Sequence, residues 1–194
     1  RDGKPTGTAK ERGFVFPVKD NFEGLTRIKE CAKQLKLKDS DWAMGTDNAF
    51  SELQKDRSMI EKGQYEMRFS KKGIKSRKQL IKFNGSVVNF SPNFVTMEDP
   101  GSEHDIEAHR MMTAQYGDRV QVVLDDAAVT QMRFIIPFLA SPHRDKRAGN
   151  SVLIKLNQAG TFTETCLATE IVLGLADVKK VEEFLIARKD LAQV

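Results

Sequence analysis

Residues 79–90 read QLIKFNGSVVNF, and the fold turns on how that stretch is taken. Asn84 and Gly85 stand between two alternating segments, the strongest short-range hairpin signature, because a two-residue turn needs positive φ at both central positions. Such a turn sets Phe83 opposite Ser86, Lys82 opposite Val87, Ile81 opposite Val88 and Leu80 opposite Asn89. One face of the ribbon then carries Ile81, Phe83, Val88 and Phe90, and the other Lys78, Leu80, Lys82, Val87 and Asn89.

Working back towards the N-terminus, Tyr65, Met67 and Phe69 alternate with Glu66, Arg68 and Ser70, the pattern of a half-buried strand. The run KKGIKSRK of residues 71–78 has too little apolar content for anything but a loop. A helix is expected before it, capped by Thr46 or Asp47, with Phe50, Leu53, Arg57 and Ile60 on one side and Gly63 as its stop. An earlier helix from Asn21 places Leu25, Ile28, Cys31 or Ala32, and Leu35 at helical steps, with Asp20 or Asn21 as cap. Phe14 to Val18 suggests a short strand, confined to an edge by Pro17. Residues 1–12 carry no hydrophobic period and are expected to form a flexible arm.

Towards the C-terminus, Ser91 to Asn93 breaks the ribbon, and a short segment from Phe94 leads to a turn at Asp99 to Gly101. A helix capped by Ser102 should run to about Tyr116 and stop at Gly117. Val120 to Leu124 reads as a strand followed by a turn or short helix at Asp125 to Val129. Residues 132–139 are almost continuously apolar around Pro137, which favours a buried strand over a helix. Two further strands are expected at residues 152–156 and within 161–175, and a last amphipathic helix from Asp177. These elements predict an α+β fold, an antiparallel sheet with an Asn-Gly β-hairpin and about four amphipathic helices packed against it. The expected organisation is the arm followed by one domain over residues 13–194, with a candidate sub-boundary near 92–101.

The 194 residues are 40% hydrophobic and 30% charged, which excludes a fibrous, disordered or disulfide-stapled chain and allows an ordinary core. No apolar run approaches the ~20 residues of a membrane helix, so a soluble protein without a membrane partner is expected. Cys31 and Cys166 show no metal or redox spacing. Two free thiols point to the cytoplasm or another reducing compartment, a virion or an organelle matrix not being excluded by them.

Charge gives the sharpest functional signal. Residues 1–97 hold 20 basic and 12 acidic side chains, residues 98–194 hold 11 and 15. Arg68, Lys71, Lys72, Lys75, Arg77, Lys78 and Lys82 fall within 15 residues that contain no acid. Solvated surfaces usually mix the two signs, so this run suggests a polyanion as partner. With Arg144, Lys146 and Arg147 as a second bank and Tyr65 and Phe94 as stacking rings, the sequence suggests a nonenzymatic protein binding RNA or single-stranded DNA and self-associating along it as a homo-oligomer.

Two other classes compete with that reading. The opposite charges of the two halves suit a subunit of a larger assembly without nucleic acid. A small enzyme would draw on Asp105 and His109, one helical turn apart, but two such groups do not make a metal site. Phosphate-loop and nucleophile motifs are absent, and no cofactor and no metal is implied. Asp125 and Asp126 at a strand end have the chemistry to hold a divalent ion, yet the Ala127, Ala128 and Val129 that follow favour a helix cap.

Overall fold

A computed structural model describes residues 7–9, 12–68, 72–139, 143 and 146–174. In chain order, β1 (Gly7–Thr8) pairs antiparallel with β2 (Phe14–Val15), and α1 (Asn21–Gln34) follows. Asp20 caps α1 by accepting the N–H groups of Phe22 and Glu23, as its position in the sequence predicts. Next come β3 (Met44–Asp47), α2 (Arg57–Lys62), β4 (Gln64–Met67), β5 (Gly73–Ser76) and α3 (Arg77–Val88). The order continues with β6 (Phe94–Glu98), α4 (Ile106–Tyr116), β7 (Gln121–Leu124) and α5 (Met132–Leu139). It ends with β8 (Ser151–Val152), α6 (Leu156–Ala159) and α7 (Phe162–Val172). The helix expected from Asp177 lies outside the described residues.

The sheet order is β3-β6-β7-β8, and every neighbouring pair is parallel. Parallel neighbours need crossovers, here supplied by α3, α4 and α5, which makes the architecture α/β. The antiparallel α+β expectation is therefore corrected, and its source is residues 79–90. Asn84 and Gly85 do not turn; they lie inside α3. A reciprocal capping box starts that helix, with the Ser76 hydroxyl accepting from the Gln79 N–H and the Gln79 side chain accepting from the Ser76 N–H. Leu80, Ile81, Phe83, Asn84, Val87 and Val88 are buried at helical spacing. Gly85 is required by a neighbour: a Cβ there would sit 2.0 Å from the Tyr116 hydroxyl oxygen of α4. The Asn84 amide donates to the Pro100 carbonyl at 2.8 Å.

Four further expectations change. Met44–Asp47 is a strand where a helix cap was anticipated, and the helix that ends at Gly63 begins only at Arg57, capped by Asp56. α5 is helical despite Pro137, because Met132, Ile135 and Ile136 are buried at i, i+3 and i+4 while Pro137 faces solvent. α7 replaces the strand expected in residues 161–175, its Thr161 hydroxyl accepting the Glu164 N–H. Within the supposed loop 71–78, Gly73–Ser76 pairs antiparallel with Gln64–Met67.

Two apolar clusters fill the interior. One joins α1, α3, α4 and the sheet through Leu25, Tyr65, Leu80, Phe94, Met97 and Met112. The other packs Leu124, Ala128, Ile135 and Ala168 between β7, α5 and α7. None of the helices among the described residues is long and apolar enough to cross a membrane.

Candidate active site at the strand ends

The register of the parallel sheet decides what meets at its C-terminal edge. Asp47, the last residue of β3, lies opposite Glu98, the last of β6, and Glu98 lies opposite Val123 of β7, two positions before Asp125. β8 delivers Lys155 to the same edge three residues after Val152, where its ammonium donates to an Asp125 carboxylate oxygen. Gln158 donates to the other Asp125 oxygen at 2.8 Å, and its own carbonyl oxygen accepts from the Thr130 hydroxyl at 2.9 Å. That hydroxyl also accepts the Lys155 N–H at 2.9 Å. Asp125 is thus held from two sides by groups of the neighbouring β8–α6 segment.

The carboxylates perturb one another. Burial, a hydrogen bond with Asp125 and the charges of Asp47, Asp125 and Asp99 push the Glu98 carboxyl up to about 7. Burial and the charges of Asp99 and Asp125 likewise raise Asp47, although Lys155 opposes the shift. Asp125 is desolvated too, yet hydrogen bonds from Lys155, Gln158 and Glu98 outweigh that cost and lower its pKa. Lys155 is raised in turn, chiefly by its hydrogen bond to Asp125. Between Glu98 and Asp125 a proton is thus favoured on Glu98. Hard oxygen donors whose ionisation is opposed by their own neighbours form a set that a divalent cation such as Mg²⁺ would satisfy.

Asp99, Asp125 and Asp126 also bring one oxygen each to within 4.8 Å of one another. Asp99 is already engaged: its two oxygens accept the N–H groups of Asp125 at 3.1 Å and Asp126 at 2.8 Å. Asp47, Glu98 and Asp125 make a second acidic set, close enough to perturb one another, in which Asp125 is itself held by Lys155 and Gln158. Strained backbone surrounds it. Ala49, Asp99, Val129 and Thr130 account for four of the six non-glycine residues with positive φ among those described, and such residues cluster where geometry is over-determined. A recess of about 800 Å³ lies elsewhere, beside β2 and α1, and none of the strand-end acids lines it.

The residues singled out by charge fall elsewhere. Lys71 and Arg144 lie outside the described residues. Lys72, Lys78, Lys82 and Lys146 are exposed, and Lys75 and Arg147 are half-buried. Arg68 donates to the Glu52 carbonyl at 3.2 Å. Arg77 is bound internally, its Nε 2.7 Å from Asp105 Oδ1. Tyr65 is wholly buried and Phe94 nearly so, which leaves neither ring free to stack on a base. Tyr65 donates to Asp105 Oδ2 at 2.8 Å and accepts the Ser102 N–H at 3.2 Å. Asp105 caps α4, and His109 has no exposed surface, so this pair faces the interior.

The sequence reading missed Asp47, Glu98 and Lys155 and set Asp125 aside. The available signal was a repeated pattern: AMGTD, VTMED and VVLDD each end an apolar run on a carboxylate, and VLIK ends one on an amine.

Residues 2–175 match the family described as "Enolase, C-terminal TIM barrel domain". That match overturns the nucleic-acid-binding reading, the RNA or single-stranded DNA partner and the nonenzymatic assignment, all of which rested on charge density in one segment. It also accounts for the parallel strands and for acids gathered at their C-terminal ends, where barrel enzymes of this architecture keep their chemistry. Matched over nine-tenths of its length, the chain belongs to the family of enolase C-terminal TIM-barrel domains.

Proposed function

We propose that this chain carries an Mg²⁺-assisted proton-abstraction site acting on a small carboxylate or carbonyl compound. Asp47, Glu98 and Asp125 would hold the cation, and Lys155 is the proton-transfer residue. The observation that carries the reading is the convergence of three carboxylates and one amine at the ends of four neighbouring parallel strands. Enolase-type sites pair a Lys or His base with one or two Mg²⁺ ions. When bound, the cation supplies Lewis-acid stabilisation of the charge that develops on a substrate oxygen as the neighbouring carbon loses its proton.

The chain's own residues divide the remaining work. Lys155 Nζ is the atom that takes or returns the proton, and 39% of its side chain is exposed, against 7% for Asp125. Its hydrogen bond to Asp125 keeps Nζ protonated and in place; compensating the Asp125 charge removes that hold and releases Nζ as a base. Thr130 and Gln158 tie the backbone at Lys155 to the carboxylate of Asp125, fixing the distance between base and ligand.

Calorimetric titration with MgCl₂ and solvent-deuterium exchange into a panel of small 2-hydroxy and 2-phospho carboxylates test the two roles separately. E98Q and D125N should lose more than about tenfold in Mg²⁺ affinity, since even outer residues of metal sites cost that much. K155A should keep Mg²⁺ binding and lose exchange. Unchanged Mg²⁺ binding in both carboxylate variants would overturn the assignment.

A further inference from the structure

Glu98 and Asp99 are adjacent acids with different surroundings. Glu98 joins the carboxylates at the strand ends, whereas Asp99, at φ 39°, leaves the strand path and carries its side chain beneath the turn after β7. His109 of α4 stands behind it. The ring is wholly buried, with Nε2 3.4 Å from Asp99 Oδ1 and Nδ1 3.1 Å from the Asp105 carbonyl oxygen. A carbonyl and a carboxylate oxygen both accept, so the two contacts are satisfied with a proton on each ring nitrogen, Nδ1 donating to Asp105 and Nε2 to Asp99. Gly101 lets α4 come this close: a Cβ there would lie 2.6 Å from the Ala108 Cβ and 3.4 Å from His109 Nδ1.

We propose that His109 is a positioning residue for the cation site, holding the Asp99 carboxylate against the backbone of Asp125 and Asp126 so that the Asp125 side chain faces Glu98 and Lys155. Bulk alone would be met by an apolar residue, as at the neighbouring Ala108 and Met112. His109 instead ties the first turn of α4 to the one carboxylate that grips the ligand-bearing turn. Outer contacts of this kind orient the groups that touch a metal and tune its affinity. The inference rests on the function proposed above.

Isosteres separate positioning from packing. In H109N the amide replaces Nδ1 and retains the Asp105 contact but cannot reach Asp99; in H109Q it replaces Nε2 and retains the Asp99 contact. T113A is the control, because Thr113 is buried on the same helix and donates to the Ala148 carbonyl at 3.0 Å, away from Asp99. With MgCl₂ alone as the titrant and the full chain in the cell, H109N should bind about tenfold or more weakly, while H109Q stays within about threefold of the parent. T113A should melt earlier and bind Mg²⁺ unchanged. Parent-like binding by H109N, equal losses in H109N and H109Q, or a matching loss in T113A would overturn the positioning role. Failure of the parent chain to bind Mg²⁺ would instead overturn the function on which it rests.

Discussion

Glu98 shows how carboxylates gathered at one edge strain the protein that carries them. Its carboxyl is raised from an ordinary value of 4.5 to about 7 by burial and by its acidic neighbours, so the folded chain binds that proton more tightly than the unfolded one. The stabilisation is fully present below pH ~4.5 and is lost as pH rises through ~7. E98Q should therefore melt higher than the parent at pH 8 without Mg²⁺, by on the order of 1 kcal/mol after allowance for solvent screening, with a flatter pH profile. A parent whose stability rises across that window would contradict the assignment. Arg77 shows the opposite economy: it lies in the cationic run, yet Asp105, 1% exposed, depends on it. R77M should cost about 3 kcal/mol in chemical denaturation, because it strands a buried charge, whereas K78A and K82A should stay within about 0.5 kcal/mol. Charge density in the sequence could not separate these cases, since the partner of Arg77 lies 28 residues away.

Among the elements, α3 holds the sharpest test of the corrected fold. G85A gains up to about 1 kcal/mol of helix propensity and loses about 1–3 kcal/mol by forcing the Tyr116 ring aside. Alone it should destabilise; in a Y116A background the same change should stabilise. A hairpin turn with positive φ at Gly85 would make it destabilising in both. The double-mutant cycle, read by urea denaturation, decides between them. Elements whose signals are local were legible: the Asp20 cap of α1, the Gly63 stop of α2, the strand at Gln64–Met67 and α4 ending at Gly117. Residues 79–90 were not, because Gly85 answers to a tyrosine 31 positions later rather than to its own backbone. The Pro137 helix misled for a related reason: the solvent side of α5 tolerates what a buried helix would not.

At the scale of the molecule, the candidate site is a product of strand order. β3, β6, β7 and β8 form a four-stranded parallel sheet of the kind that a TIM barrel closes from eight, and their alignment brings Asp47, Glu98, Asp125 and Lys155 to one edge. Each of the four was visible as the charged end of an apolar run, and Asp125 was even considered for a divalent ion. What the sequence could not convey was that these ends are neighbours, since the register of parallel strands joined by helices is set by packing, not by turns. The central claim is that Asp47, Glu98 and Asp125 form the cation site while Asp99 braces it from below. Anomalous scattering from crystals soaked in Mn²⁺ tests this directly. A single peak within coordination distance of the Asp47, Glu98 and Asp125 carboxylates is the predicted result. A peak seated among Asp99, Asp125 and Asp126, or none at the strand ends, would contradict it.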